Sequence, residues 1–224
     1  QSPKQRHLRR RFVEVEGLGI ELARKGDDLI FGEGVGSKVR QLADLAILGL
    51  GGWDPQMVEE IRQQGVDPWF YDAAGILDGD ALQGRALSWI AWKYRAGSWT
   101  LWELDFNSLR AYLYPETYPD LNGHGMLIYR GETMGLDEPV ASLRLKIMRR
   151  GAQDYEYFWL LQREVERARK IPSAASAVRE AEALLAVPKE ISTDLTHFTT
   201  DARLMMNHRD HMARMIERFQ AALR

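Results

Sequence analysis

Three carboxylates and five flat or amide-bearing side chains fall where an alternating α/β chain would carry chemistry. Asp72, Glu103 and Asp105 are the acids, and Trp53, Tyr71, Trp102, Asn122 and Tyr129 lie beside them at or just beyond strand ends. The mixture suits a sugar, because aromatic rings cover the apolar face of a pyranose while carboxylates and amides bind its hydroxyls. For catalysis within this chain, Glu103 is the first candidate for a general acid, with Asp105 or Asp72 as its partner. The plainer alternative is that the aromatics are core and the carboxylates are helix caps or ion-pair partners. For Trp89 and Trp92, whose spacing is helical, core is the better reading.

Other short patterns carry less. His208-x-x-His211 with Asp194 or Asp201 lacks the Glu and third ligand of a stronger metal motif, so it reads as an ordinary helix face, and neither metal nor cofactor is expected. Gly32-Glu-Gly-Val-Gly36-Ser-Lys38 matches neither a P-loop, where Lys precedes Ser or Thr, nor a dinucleotide fingerprint, and reads as a turn. The basic run over 4–11 reads as solvated surface. Arg144, Arg149 and Asp154 read as buried or interfacial ion pairs that lock a long helix in place.

The elements that must position these residues alternate. Residues 45–50 form a continuous apolar run that suits a strand buried on both faces of a parallel sheet, with a helix continuation as the alternative. Asp54 can cap, and Pro55 open, a helix ending at Gly65. Residues 66–71 are the next strand. Leu82, Ala86, Trp89, Ile90 and Lys93 recur at three and four, one face of a helix with Asp80 as N-cap and Gly97 as its stop. A strand over 98–104 then brings Glu103 and Asp105 to its C-terminal end, where repeating α/β folds do chemistry. Residues 106–125 lack a period and read as a functional loop. Residues 126–129 give a fourth strand, followed by a loop with Asp137, Glu138 and Pro139. A helix over 143–170, bent near Gly151, ends before Pro172. Two further helices cover 174–186 and 201–223, the second with Leu204, His208, Met212, Met215 and Phe219 on one stripe. Near the start, 12–22 alternate with period two about Gly17, a strand or hairpin with one wet face. The order strand, helix, strand argues for parallel strands joined by right-handed crossovers.

The whole-chain totals exclude more than they assign. At 224 residues, 45% apolar and 28% charged, the chain can build one sizeable core. Thirty basic against 32 acidic side chains leave no balance that calls for nucleic acid or an anionic membrane. No Cys is present, which excludes disulfides and thiolate metal sites and leaves an exported or a cytoplasmic location equally open. No apolar run approaches the ~20 residues that span a bilayer. The chain has neither an initiator Met nor a signal-peptide pattern at Gln1, so it reads as a processed product or an excised piece.

Three segments taken together go beyond generic α/β: Trp69-Phe-Tyr71 ending a strand, the run 85–102, and Asn122-Gly-His-Gly-Met-Leu-Ile-Tyr129. The last is followed by Pro139-Val-Ala-Ser-Leu-Arg144 and an Arg-Gly-x-x-Asp154-Tyr-Glu-Tyr157 element. From about Leu45 onward this resembles the C-terminal portion of the glycoside-hydrolase-like catalytic domain of certain bacterial β-N-acetylgalactosaminidases and a large family related to them. The segment Asp194-Leu-Thr-His-Phe-Thr-Thr-Asp201, followed by a helix with Arg209, resembles that domain's end. The resemblance implies the second half of a TIM-type (β/α) barrel over 45–172, with an N-terminal segment over 1–44 and C-terminal helices over 173–224 packed on the barrel. It also implies binding and hydrolysis of a carbohydrate, N-acetylhexosamine-containing, with non-catalytic sugar binding or assembly on the same scaffold as the alternative.

Family members that hydrolyse sugars use an adjacent Asp-Glu pair on an earlier strand, the Asp positioning the substrate's own acetamido group, one of the exceptions to the two-carboxylate scheme. The only Asp-Glu here, Asp137-Glu138, does not align with it, so the family's acids lie outside this chain or are absent. A complete barrel takes eight strands and typically ~250 residues. Four parallel-type strands are expected here, at Leu45, Val66, Ser98 and Met126, so an upstream segment, a second chain or a second copy is expected to complete the barrel.

Overall fold

A computed structural model describes residues 45–49, 53–72, 75–101, 103–105 and 122–222, and of Leu45 and Asp72 the backbone alone. The readings placed on residues 1–44, on Trp102 and on the loop over 106–121 lie outside the described residues. The fold is mixed α/β, mostly helical with few strands. It divides into two compact units, one formed by residues up to 72 with 96–100, the other by 73–95 with 101 onward.

The first unit is built on a β-α-β element. Strands β1 (Leu45–Gly49) and β2 (Asp67–Asp72) pair in parallel, with Leu45 opposite Asp67 and Gly49 opposite Tyr71. Helix α1 (Pro55–Gln63) joins them. Its start is local chemistry: the Asp54 carboxylate accepts a hydrogen bond from the Met57 N–H at 2.7 Å, and Pro55 occupies the first turn, where its missing N–H costs nothing. Gly65, at φ 79°, then makes the left-handed exit. Val58 and Ile61 point into the core. Strand β3 (Trp99–Leu101) lies on the other side of β2, giving the order β1-β2-β3.

Two expectations about this unit need correction. The apolar run of β1 is not buried on both faces: Ala46 and Leu48 are buried, but Ile47 between them is 39% exposed. Gly97 is not the residue that turns the chain out of the preceding helix. That left-handed position is Arg95, at φ 56°. Gly97 is required for another reason, because a Cβ there would lie 2.1 Å from the Asp67 carboxylate.

The second unit is a helical cluster with a small hairpin. Helix α2 (Gln83–Lys93) is buried continuously from Gly84 to Ala91. Asp80 is not the N-cap: it stands two residues before the cap position, Leu82, and its carboxylate accepts the Leu82 N–H at 2.7 Å in the turn that leads into the helix. Strands β4 (Ile128–Tyr129) and β5 (Val140–Ala141) pair antiparallel in a separate two-stranded sheet. The expectation of a parallel-type strand at 126–129 is therefore wrong. A short return through 131–139 allows antiparallel pairing, whereas a parallel partner needs a crossover of a dozen or more residues.

Helix α3 (Leu143–Ala168) opens at Ser142, whose hydroxyl accepts the Leu145 N–H at 3.1 Å. It runs without interruption through Gly151, so no bend is needed there. The missing side chain instead lets α3 meet α2, since a Cβ on Gly151 would sit 2.6 Å from the Arg85 carbonyl oxygen. Helices α4 (Ala175–Leu185) and α5 (Ala202–Ala222) complete the cluster. Trp89 meets Phe158 edge-on at 4.9 Å, and Trp92 stacks on the same ring at 5.1 Å. The core reading is borne out for Trp89, which is fully buried, whereas Trp92 packs against the core and stays half-buried. On α5 the buried stripe is Met205, Met212, Met215, Ile216 and Phe219; Leu204 is exposed, so the stripe starts one residue later than the sequence suggests.

Candidate functional site

The hairpin β4-β5 owes its shape to two glycines. A 3-10 turn over Gly131–Met134 ends at Gly135, left-handed at φ 71°, and the Leu136 N–H returns to the Gly131 carbonyl at 3.0 Å. At Gly131 a Cβ would lie 2.0 Å from the Glu138 carbonyl oxygen, so no other residue lets the two arms of the loop close. Closure sets Asp137 and Glu138 against Arg130 and Glu132. The stretch before the hairpin joins them, because the Leu127 and Ile128 N–H groups both donate to the Leu104 carbonyl at 2.8 Å and Asp105 bridges to Met126.

The result is a cleft of about 290 Å³ lined by Asp105, Tyr129, Arg130, Glu132, Asp137 and Glu138, with Ile128, Gly131 and Pro139 completing the wall. Four carboxylates facing one cleft offer hydrogen-bond acceptors, and Arg130 is a donor among them. Tyr129 is held from below. Its hydroxyl accepts a hydrogen bond from Arg144 Nη2 at 2.8 Å, and the same guanidinium donates to the carbonyls of Gly75, Gly123 and Met126. Arg144 thus ties three points of the backbone and the Tyr129 ring into one rigid support. It is not the ion-pair partner expected from its charge. Gly123, at φ 73°, leaves room for it, as a Cβ there would meet Arg144 Nη1 at 2.8 Å.

Of the residues named from sequence, Asp105 and Tyr129 meet in this cleft. Glu103 is exposed two residues before Asp105, in the left-handed region at φ 52°, a conformation uncommon outside glycine. It is not among the cleft's lining residues. Asn122 is half-buried and donates its amide to Asp78 at 2.6 Å. In the first unit, Trp53 is buried edge-on against Phe70 and Tyr71 is half-buried on β2, which Asp72 ends. Sequence reasoning passed over Arg130, Glu132, Asp137 and Glu138 as cleft residues. The signal was present in Gly131 and Gly135, whose spacing marks a tight return that folds the Asp137-Glu138 pair back onto the strand end.

The remaining polar clusters have structural explanations. Asp154 is 0% exposed and accepts from Arg85 Nε at 2.6 Å and Trp89 Nε1 at 2.9 Å, with Arg209 at 3.6 Å. It is the ion-paired lock expected between α3 and its neighbours, whereas Arg149 is exposed. His208 donates from Nε2 to the Leu184 carbonyl at 2.8 Å and packs on Trp89 and Phe158. Burial holds its imidazole below the ordinary 6.5, with the Leu184 carbonyl opposing that shift and His211 adding to it. Asp194 accepts the N–H groups of Thr196 and His197 and the His197 ring, which hold its carboxyl well below the usual carboxylate range. Lys93 fastens this loop by donating to the Ser192 and Thr193 carbonyls at 2.6 and 2.9 Å.

Among the described residues no group of three or more His, Asp or Glu side chains is arranged to hold a metal ion. No helix among them is long and apolar enough to cross a membrane. No protein-family model matches the chain, and no curated protein sequence matches it.

Proposed function

We propose that the chain is part of a glycoside-hydrolase-like protein that binds and hydrolyses a carbohydrate, N-acetylhexosamine-containing, with the cleft at β4-β5 as its sugar contact. The observation that carries this reading is the convergence of Asp105 and Tyr129 with Glu132, Asp137, Glu138 and Arg130 around one opening of about 290 Å³. A pyranose presents a ring of hydroxyls beside an apolar face. Carboxylates accept from hydroxyls through charge-assisted bonds, and a phenol ring covers the apolar face. The resemblance to the β-N-acetylgalactosaminidase family supplies the substrate class. The barrel assignment belongs to the same proposal, with the missing strands contributed by an upstream segment, a separate chain or a second copy.

The second reading is sugar binding without hydrolysis. It is favoured by one observation: Glu103, the first candidate acid, is exposed and outside the cleft lining. Titration of N-acetylgalactosamine into the full chain, followed by ligand-observed NMR, tests the binding. Asp105→Asn and Tyr129→Phe are expected to weaken it, and undetectable or unaltered binding in all three proteins would defeat the carbohydrate reading. Turnover of an aryl N-acetylhexosaminide then separates the two readings, with Glu103→Gln as the diagnostic variant. Turnover in the wild type that is unchanged by that substitution removes Glu103 from the mechanism.

A further inference from the structure

Helices α4 and α5 enclose a second concavity of about 500 Å³, lined by Glu180, Ala183 and Leu184 from α4 and by His211, Arg214, Met215 and Arg218 from α5. Its charge is opposite to that of the hairpin cleft. His211, Arg214 and Arg218 recur at three and four along α5, so they share one face of the helix. Glu180 is the only acid in the lining, and it engages Arg218 alone, at 3.1 Å. Among the described residues Arg214 has no carboxylate within ion-pair distance, whereas on the same helix Arg203 has one and Arg209 has two. Beneath the cations the floor is apolar, formed by Ala183, Leu184 and the buried Met215. That floor is fixed in place, because His208 holds the Leu184 carbonyl at 2.8 Å while packing on the Trp89 and Phe158 rings.

We propose that this groove is a binding site for a soluble phosphate monoester with a short apolar body. Guanidinium forks match the oxygens of phosphate and carboxylate alike. Two guanidiniums, with an imidazole beside them, around one head group favour the more highly charged phosphate. The volume lies within the range of small-ligand pockets, and the combination of apolar floor and a few polar anchors is how such sites gain both affinity and orientation. An anion at Arg214 keeps its strength because the only lining acid is already engaged. The site is independent of the sugar cleft and stands or falls without it.

Isothermal titration of the full chain with octyl phosphate, at concentrations where the ester is monomeric, tests the proposal. Saturable one-to-one binding is expected. Arg214→Gln is expected to weaken it about tenfold, the loss of one charge-assisted contact. Arg163→Gln, on α3 over the Trp159 ring, is expected to leave it unchanged. Inorganic phosphate and octyl glucoside should each bind at least tenfold more weakly, since each lacks one half of the ligand.

Glu180→Gln, which frees Arg218, is expected to tighten binding. Ala183→Leu fills the groove with a good helix former and is expected to abolish it, providing a second variant should Arg214→Gln disturb the fold. The proposal is overturned by any of four results: no saturable binding, equal affinity in Arg214→Gln or for octyl glucoside, weaker binding in Glu180→Gln, or association with phosphatidic acid vesicles in place of the monomeric ester.

Discussion

Asp154 shows how one residue can be indispensable without touching any ligand. Its carboxylate is fully enclosed between Arg85, Trp89 and Arg209, and the buried Arg85 guanidinium depends on it for charge compensation. Removing one partner from such a group leaves an uncompensated buried charge, a loss of roughly 3–5 kcal/mol. Asp154→Asn is therefore expected to lower the urea midpoint by that equivalent, and a loss below about 1 kcal/mol, the size of an exposed pair, would show that water reaches the site. His208 acts through pH. Its imidazole is held below 6.5 in the folded chain, chiefly by burial, so the unfolded chain binds the proton more readily. Its contribution to stability is full above the ordinary value and is lost as pH falls below 6.5 and through the folded value. Melting temperature is expected to fall between pH 7 and 5, less steeply in His208→Gln; parallel profiles would assign the effect to other groups. Asp194 has the same sign in a lower window, below its ordinary 3.8, so the two are separable by pH alone.

Between elements, the α2-α3 contact depends on two glycines that meet different obstacles. A Cβ on Gly151 would press on the Arg85 backbone, at 2.6 Å from its carbonyl oxygen and 2.9 Å from its Cα, whereas one on Gly84 would meet the Met148 side chain at 2.6 Å. Backbone of a buried helix cannot yield, but an unbranched Met can change rotamer. Gly151→Ala is thus expected to destabilise by about 1–3 kcal/mol through overpacking, despite the better helix propensity of Ala. Gly84→Ala is expected to lose less. Chemical denaturation of both variants ranks them, and the reverse order would mean the helices part more readily than Met148 moves. At the hairpin, Gly131 meets the Glu138 backbone in the same unyielding way, so the cleft and the close approach are one feature.

At the scale of the whole molecule, the sheet β1-β2-β3 has three strands among the described residues, where a closed barrel has eight. On the half-barrel proposal the open strand edges of a half-barrel, together with the partly exposed Ile47 on β1, promote association. Size-exclusion chromatography with light scattering on the 224 residues is expected to report an assembly. A cooperatively melting monomer would show that the strands close in a smaller fold, and the barrel assignment would fall with it.

Whatever depends on neighbours within a few positions could be read directly from the chain. The Asp54-Pro55 start and Gly65 exit of α1, the long helix stopped before Pro172, and the helical spacing that put Trp89 in the core all follow from local backbone chemistry and hydrophobic period. The pairing partner of 128–129, the carbonyls that Arg144 serves, and the reasons for Gly97 and Gly151 do not. Each depends on atoms brought together from distant sequence: Gly75 lies 69 residues from Arg144, and Arg85 lies 69 residues from Asp154. A charge or a glycine states what it can do, but not against which backbone it will be asked to do it. For the same reason Asp105 and Tyr129 were legible as candidates, while the company of Glu132, Asp137 and Glu138 was decided by the closure of one tight loop.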